Sequence, residues 1–372
     1  MLLFALSGCS GSVDTTDDAP EALRTAMNAR TVYPAKREEW RTDITPHTDS
    51  SMVPRVFRAS RTTVALLQDT PARISQFELH GKGMLLSTRP ARVDSVLHSQ
   101  VPRDIVAPTD LSRVTDDGQV DVMDSATSTL VRESIGGYVF RRDLPLLRGG
   151  SGRLCTVAPA TLLHVRSLGA RRVLEAFTLT ANAADDALTG RHRLVGEMGA
   201  RLRFGIGDVR RFLLITQRDV FIVSAPASDS PHAAPRVEPL RPPGDTAPRR
   251  IGDAGGAASA PRQPYVVDAS IVDGGFVVLV GAISDQQGRL VDYYDEQGRY
   301  LQSAMLPFTA SAMAGAGPRF LALHRDQQYR WWLSSWLTPM AARGATPPPE
   351  PPRLEKAPER QLFEPQRRGP AK

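Results

Sequence analysis

From Met52 to Leu337 short apolar, β-branched runs recur, each bounded by Asp, Gly, Pro or Ser. They include "TTVALLQD", "RISQFEL", "QVDVMD", "GYVFRRDL", "RLCTVA", "LLHVRSL", "RVLEAFTL", "RRFLLIT" and "DVFIVSA". Toward the end come "GGFVVLVGAI", "RLVDYYD", "RYLQSAML", "RFLALHR" and "YRWWLSSWL". None is long enough for an ordinary globular helix, and apolar positions do not recur with the 3.6-residue period. Such runs predict strands joined by tight turns. The order strand, polar turn, strand, Gly turn, strand is clear in "VALLQDTPARISQFELHGKGMLLST" and again in "VVLVGAISDQQGRLVDYYDEQGRYLQSAMLP". The core is therefore expected to be mainly β.

Two stretches fall outside this grammar. Residues 225–264 are rich in Ala, Pro, Gly, Ser and Asp and are expected to form a disordered insertion. Residues 339–372 read as a disordered, basic, Pro-rich tail with polyproline-like stiffness. Ahead of the strands, 10–51 reads as a polar tether carrying a short helix that begins at Pro20. The β domain is thus expected over 52–338.

The runs starting near Val64, Val120, Cys155, Val220, Val277 and Phe320 are about 35 to 65 residues apart. That scatter brackets the period of propeller blades, about 40–50 residues. The sharpest unit is Tyr294-Asp295-Glu296-Gln297-Gly298-Arg299-Tyr300, a hairpin turn flanked by aromatics. This unit resembles the blades of bacterial six-bladed, NHL-like β-propellers. The resemblance is sharp over 277–337 and implies a ring of about six small sheets. A pair of β-sandwich sheets is the alternative.

The opening segment has a different character. Leu6-Ser7-Gly8-Cys9 resembles the lipobox of bacterial lipoproteins, where small residues precede a processed cysteine. Residues 1–9 would then be a signal segment. It carries no Lys or Arg and is short for a full apolar region, so it is expected to be incomplete. The resemblance implies acylation of Cys9 and anchoring in a lipid bilayer. With Ser10 next, it implies the periplasm-facing outer membrane.

Composition changes this picture little. The formal charge is +6, but the basic residues are dispersed and nearly all Arg, with only Lys36, Lys82, Lys356 and Lys372. Nucleic acid is therefore not expected as a partner. Two cysteines, Cys9 and Cys155, leave no disulfide framework and no cysteine-based zinc site. Cys155 lies in an apolar run and reads as a small buried hydrophobe.

No catalytic, cofactor or metal motif stands out. Asp116-Asp117-Gly118 and Asp185-Asp186 offer hard oxygen ligands, but the first is foremost a hairpin turn. His47, His80, His98, His164, His192, His232 and His324 are isolated in sequence. Adjacent Trp331 and Trp332 must face opposite sides of a strand, with one in the core. The expectation is a membrane-anchored, non-enzymatic binding or scaffold module without a cofactor. A protein partner would dock at the ring mouth or on the Pro-rich tail. A propeller-type metal-dependent hydrolase or lactonase, and a component of an envelope assembly, remain as alternatives.

Overall fold

The computed structural model describes residues 21–35, 38–47, 54, 56–69, 72–79, 84–90, 108–124, 129–134, 137–144, 152–157, 161–168, 171–178, 187–194, 201–204, 211–216, 218–224, 236–243, 263–281 and 288–340. The chain begins its described course with helix α1 (Glu21–Asn28), then β1 (Val32–Pro34) and β2 (Glu38–Asp43). Four antiparallel four-stranded sheets follow. Blade one holds β3 (Val56–Ala59), β4 (Thr63–Asp69), β5 (Ala72–Glu78) and β6 (Met84–Pro90). Blade two holds β7 (Pro108–Val114), β8 (Val120–Asp124), β9 (Thr129–Ser134) and β10 (Gly137–Asp143). Blade three holds β11 (Gly152–Val157), β12 (Thr161–Leu168), β13 (Arg171–Thr178) and β14 (Ala187–Leu194). Blade four holds β15 (Arg201–Phe204), β16 (Arg211–Ile215), β17 (Val220–Ser224) and β18 (Arg236–Pro239).

The remaining strands are β19 (Val266–Val272), β20 (Gly275–Gly281), β21 (Gly288–Asp295), β22 (Tyr300–Ala316), β23 (Arg319–Arg325) and β24 (Trp331–Leu337). Together with β1 and β2 they form one eight-stranded sheet. That sheet is two blades sharing a strand. The first part of β22, from Tyr300 to Met305, pairs with β21 and completes blade five. Its last part, from Ala310 to Ala316, pairs with β23 and opens blade six. The innermost strands touch in sequence: β3 with β7, β7 with β11, β11 with β15, β15 with β19, β19 with β22, and β22 back to β3. This is a closed ring of six blades, a β-propeller, and the sandwich alternative is not realised.

Closure joins the two ends of the domain. β2 supplies the outer strand of blade six, antiparallel to β24, with Asp43 opposite Trp332 and Arg41 opposite Ser334. The core beside it mixes blade one (Phe57, Val64, Leu66, Phe77) with blade six (Leu321, Leu323, Trp331, Leu333), and Trp40 and Ile44 from the N-terminal segment join them. Val64 and Trp331 thus share one cluster, as ring closure demands: an open ring would leave both apolar faces in water.

Inner strands approach closely where blades five and six meet. Asp268 on β19 accepts the Met313 N–H at 3.1 Å, and Ser270 accepts the Gly315 N–H at 2.6 Å. A Cβ on Gly315 would sit 2.0 Å from the Ile271 carbonyl oxygen, so only glycine fits there.

The strands extend beyond the region read from sequence. β1 and β2 lie within 10–51, and β18 lies within 225–264. Each is short and polar or interrupted by Pro, so its own side chains give little strand signal. Pairing to an established neighbour holds it instead: β1 to β22, β2 to β24, β18 to β17. Residues 1–20, most of 225–264 and 341–372 lie outside the described residues.

Candidate functional site

The concavity that this fold guarantees is the mouth of the ring. At one end the turns after the inner strands are neighbours. Arg61, in the turn after β3, donates its N–H to Asp116 at 2.8 Å, in the turn after β7. Its guanidinium reaches Asp273, after β19, at 3.4 Å. Asp273 in turn donates its N–H to the Gly317 carbonyl at 2.8 Å, after β22. Gln76 donates to the Gly118 carbonyl at 3.0 Å. Blades five, six, one and two therefore present a continuous polar arc of Asp273, Arg61, Asp116 and Asp117. The Arg61–Asp273 pair is exposed and contributes little to stability.

The residues singled out from sequence are placed as follows. Cys9, His80, His98, His232, Asp185 and Asp186 lie outside the described residues. Asp116-Asp117-Gly118 is the β7–β8 turn, with Gly118 at φ 79°. Cys155 sits on inner strand β11, opposite Leu163. His164 and Glu175 are a buried cross-strand pair 3.7 Å apart in blade three. Trp331 is buried, while Trp332 is half-buried and donates to Asp326 at 2.9 Å. Among the described residues no three His, Cys, Asp or Glu come together in metal-binding proximity. None of the described helices is long and apolar enough to cross a membrane.

A second polar centre gave no sequence signal. Arg30, just after α1, is buried against Asp292 of β21, with an N–O distance of 2.9 Å. Its Nη1 donates to the Ala26 carbonyl at 2.6 Å, and the Nη2 that meets Asp292 also donates to Gln263 at 3.3 Å. Asp292 also accepts the Ser303 hydroxyl at 2.6 Å and lies 3.5 Å from the Tyr294 hydroxyl. Tyr300 extends the network between Ser303, at 2.8 Å, and the Thr31 N–H, at 3.0 Å. A cavity of about 20 Å³ adjoins this network and is lined in part by Arg218, Gln263, Asp219 and Tyr294. That is room for about one water molecule. The centre fastens the N-terminal segment to the ring.

A third cluster lies where β2 meets blade six. His324 stacks on Phe308 with ring centroids 3.6 Å apart and planes 12° apart. Trp336 meets the same Phe308 edge-on, and Arg41 of β2 lies 5.2 Å above its ring. The His324 Nε2 is buried and has no hydrogen-bond partner among the described residues. Burial, then the Arg41 charge, lowers its pKa from 6.5 to about 4, while Asp326 opposes them. Below pH 6.5 the unfolded chain takes up this proton before the folded one, so stability falls as pH drops from 6.5 toward 4. The full shift corresponds to about 3 kcal/mol; solvent screening reduces this to about 1–2 kcal/mol. Urea midpoints at pH 7 and pH 4.5 should show that loss, and His324→Phe, which keeps the stack, should shrink it. An unchanged slope would refute the assignment.

No family model matches this chain, and no curated protein matches it. Solved structures do. The Raptor chain of Chaetomium thermophilum matches at 11% identity and TM-score 0.41, over 83% of this chain and 28% of its own length. The Cps50 (Swd1) β-propeller domain of Myceliophteria thermophila matches at 10% identity and TM-score 0.46, over 77% of this chain and 98% of that one. BamB of Moraxella catarrhalis matches at 11% identity and TM-score 0.35, over 76% and 71%. No activity carries across at these values. The propeller assignment rests on the ring of inner strands.

Proposed function

We propose that this chain is a lipid-anchored protein of the bacterial envelope whose propeller acts as a binding or scaffold module. The observation that carries the anchor is the lipobox-like Leu6-Ser7-Gly8-Cys9, and the course of the described N-terminal segment is compatible with it. That segment leaves the ring at its outer edge: α1 is wedged between blades four and five, and β1 and β2 run along the rims of blades five and six. An acyl chain on Cys9 would therefore grip the propeller by its rim. Both ends of the ring would stay clear of the bilayer, including the arc of Asp273, Arg61 and Asp116. Leu6-Ser7-Gly8-Cys9 and the polar residues after it support the anchor.

The test is fractionation of the chain expressed behind a complete signal segment. The wild type is expected in the membrane fraction with acylated Cys9. Cys9→Ala is expected to be soluble or unprocessed. Unacylated wild-type protein in the soluble fraction would overturn the reading.

A further inference from the structure

Few large apolar side chains are exposed among the described residues: Val32 at 44%, Tyr33 at 51%, Leu188 at 43%, Met305 at 39% and Tyr329 at 66%. Three of these five gather on one stretch of rim. β1 pairs in parallel with β22, placing Val32 beside Ser303, Tyr33 beside Ala304 and Pro34 beside Met305. β1 has no strand on its other side among the described residues. Val32 and Met305 share one face of this edge, and Tyr33 lies on the other. The rim of blade five thus projects an apolar keel.

The geometry points to the bilayer that holds Cys9 as the occupant of this keel. The inference rests on the anchored reading above and adds an orientation to it: the propeller stands on the rim of blade five. Two observations select lipid. Twelve positions separate Cys9 from Glu21, where α1 begins. At about 3.5 Å per residue this tether reaches no more than about 40 Å, so the rim it enters stays close to the membrane. A tyrosine beside aliphatic side chains matches the polarity step at the headgroup boundary. Contact of a few side chains is too weak to hold a soluble protein on a membrane. With an anchor already inserted, it needs only to choose which side faces down.

The experiment uses the full acylated chain in vesicles of phosphatidylethanolamine and phosphatidylglycerol. Cys155→Ser removes the second thiol. Tyr33→Cys, Met305→Cys and Leu188→Cys each carry an environment-sensitive dye, with Leu188 reporting the rim of blade three. Flotation reads the anchor, and quenching by spin-labelled lipid reads the orientation. Dye at 33 and 305 is expected to be blue-shifted and quenched about twofold or more above dye at 188. Equal quenching at all three positions on floating protein overturns the orientation while leaving the anchor intact. Failure to float overturns the anchor and this inference with it. A blue shift at 33 that depends on protein concentration and not on lipid assigns the keel to a second copy, which also overturns it.

Discussion

Deleting residues 1–47 is expected to unfold all six blades together. The deletion removes α1, β1 and β2, which fasten four blades to one another. α1 buries Leu23 and Ala26, and its Met27 packs on a core shared by blades four and five. β2 is the outer strand of blade six, and just beyond it Ile44 donates its N–H to the Trp331 carbonyl at 2.9 Å. Trp40 and Ile44 are buried with residues of blades six and one. Losing Leu23, Trp40 and Ile44 alone forfeits about 5–9 kcal/mol at about 1.5–3 kcal/mol per buried side chain. A typical domain has only about 5–15 kcal/mol in total. The loss also leaves β24 as an uncovered edge. Near-ultraviolet circular dichroism and urea titration should show a truncated chain without fixed tertiary signal, or one with a far lower midpoint. A truncated chain unfolding at the wild-type midpoint would refute closure by the N-terminal segment.

The same contacts explain which parts of the fold were legible in the sequence. Strands such as β20, with "GFVVLVG", carry their own apolar signal because both faces are covered by neighbouring blades. β2, with "EEWRTD", carries almost none: one buried Trp40 suffices, because β24 supplies the pairing. Repetition was visible only in part for a related reason. In "DEQGR" the Asp295 carboxylate accepts the N–H groups of Gln297 and Arg299 at 3.0 and 2.9 Å, and the Arg299 Nε at 2.7 Å. In "DQQYR" Asp326 does the same with Gln328, Arg330 and the Arg330 Nε, each at 2.9 Å. The turns are equivalent, yet the second places Tyr329 at φ 63° where the first has Gly298 at φ 73°. A side chain at 298 would press on Ile222 and Leu240 at 3.1 Å, whereas Tyr329 projects into solvent above Arg325. A pattern keyed to glycine misses the second turn, although its hydrogen bonds are the same. The buried Arg30–Asp292 centre was hidden more deeply. Its partners are 262 positions apart, and neither sits in a motif.

That pair gives the sharpest single-residue expectation. Arg30→Met should destabilise the protein by about 3–5 kcal/mol, because it strands a buried carboxylate. Asp292 would keep the Ser303 hydroxyl at 2.6 Å but lose its only opposite charge among the described residues. Asp292→Leu alone should cost a similar amount by leaving Arg30 unpaired beside Gln263 and the Ala26 carbonyl. The double variant Arg30→Met, Asp292→Leu should recover much of either loss, because it removes the stranded charge and leaves apolar groups of similar size. Urea unfolding of the four proteins forms the cycle, and amide exchange at Tyr33 and Ala35, whose N–H groups face β22, reports where the damage falls. Exchange there should quicken in each single variant before the blades open, since Arg30 is what holds the segment between α1 and β1. Single substitutions costing less than about 1 kcal/mol, or a double variant as damaged as the sum of the two, would show that the pair does not fasten the segment to the ring.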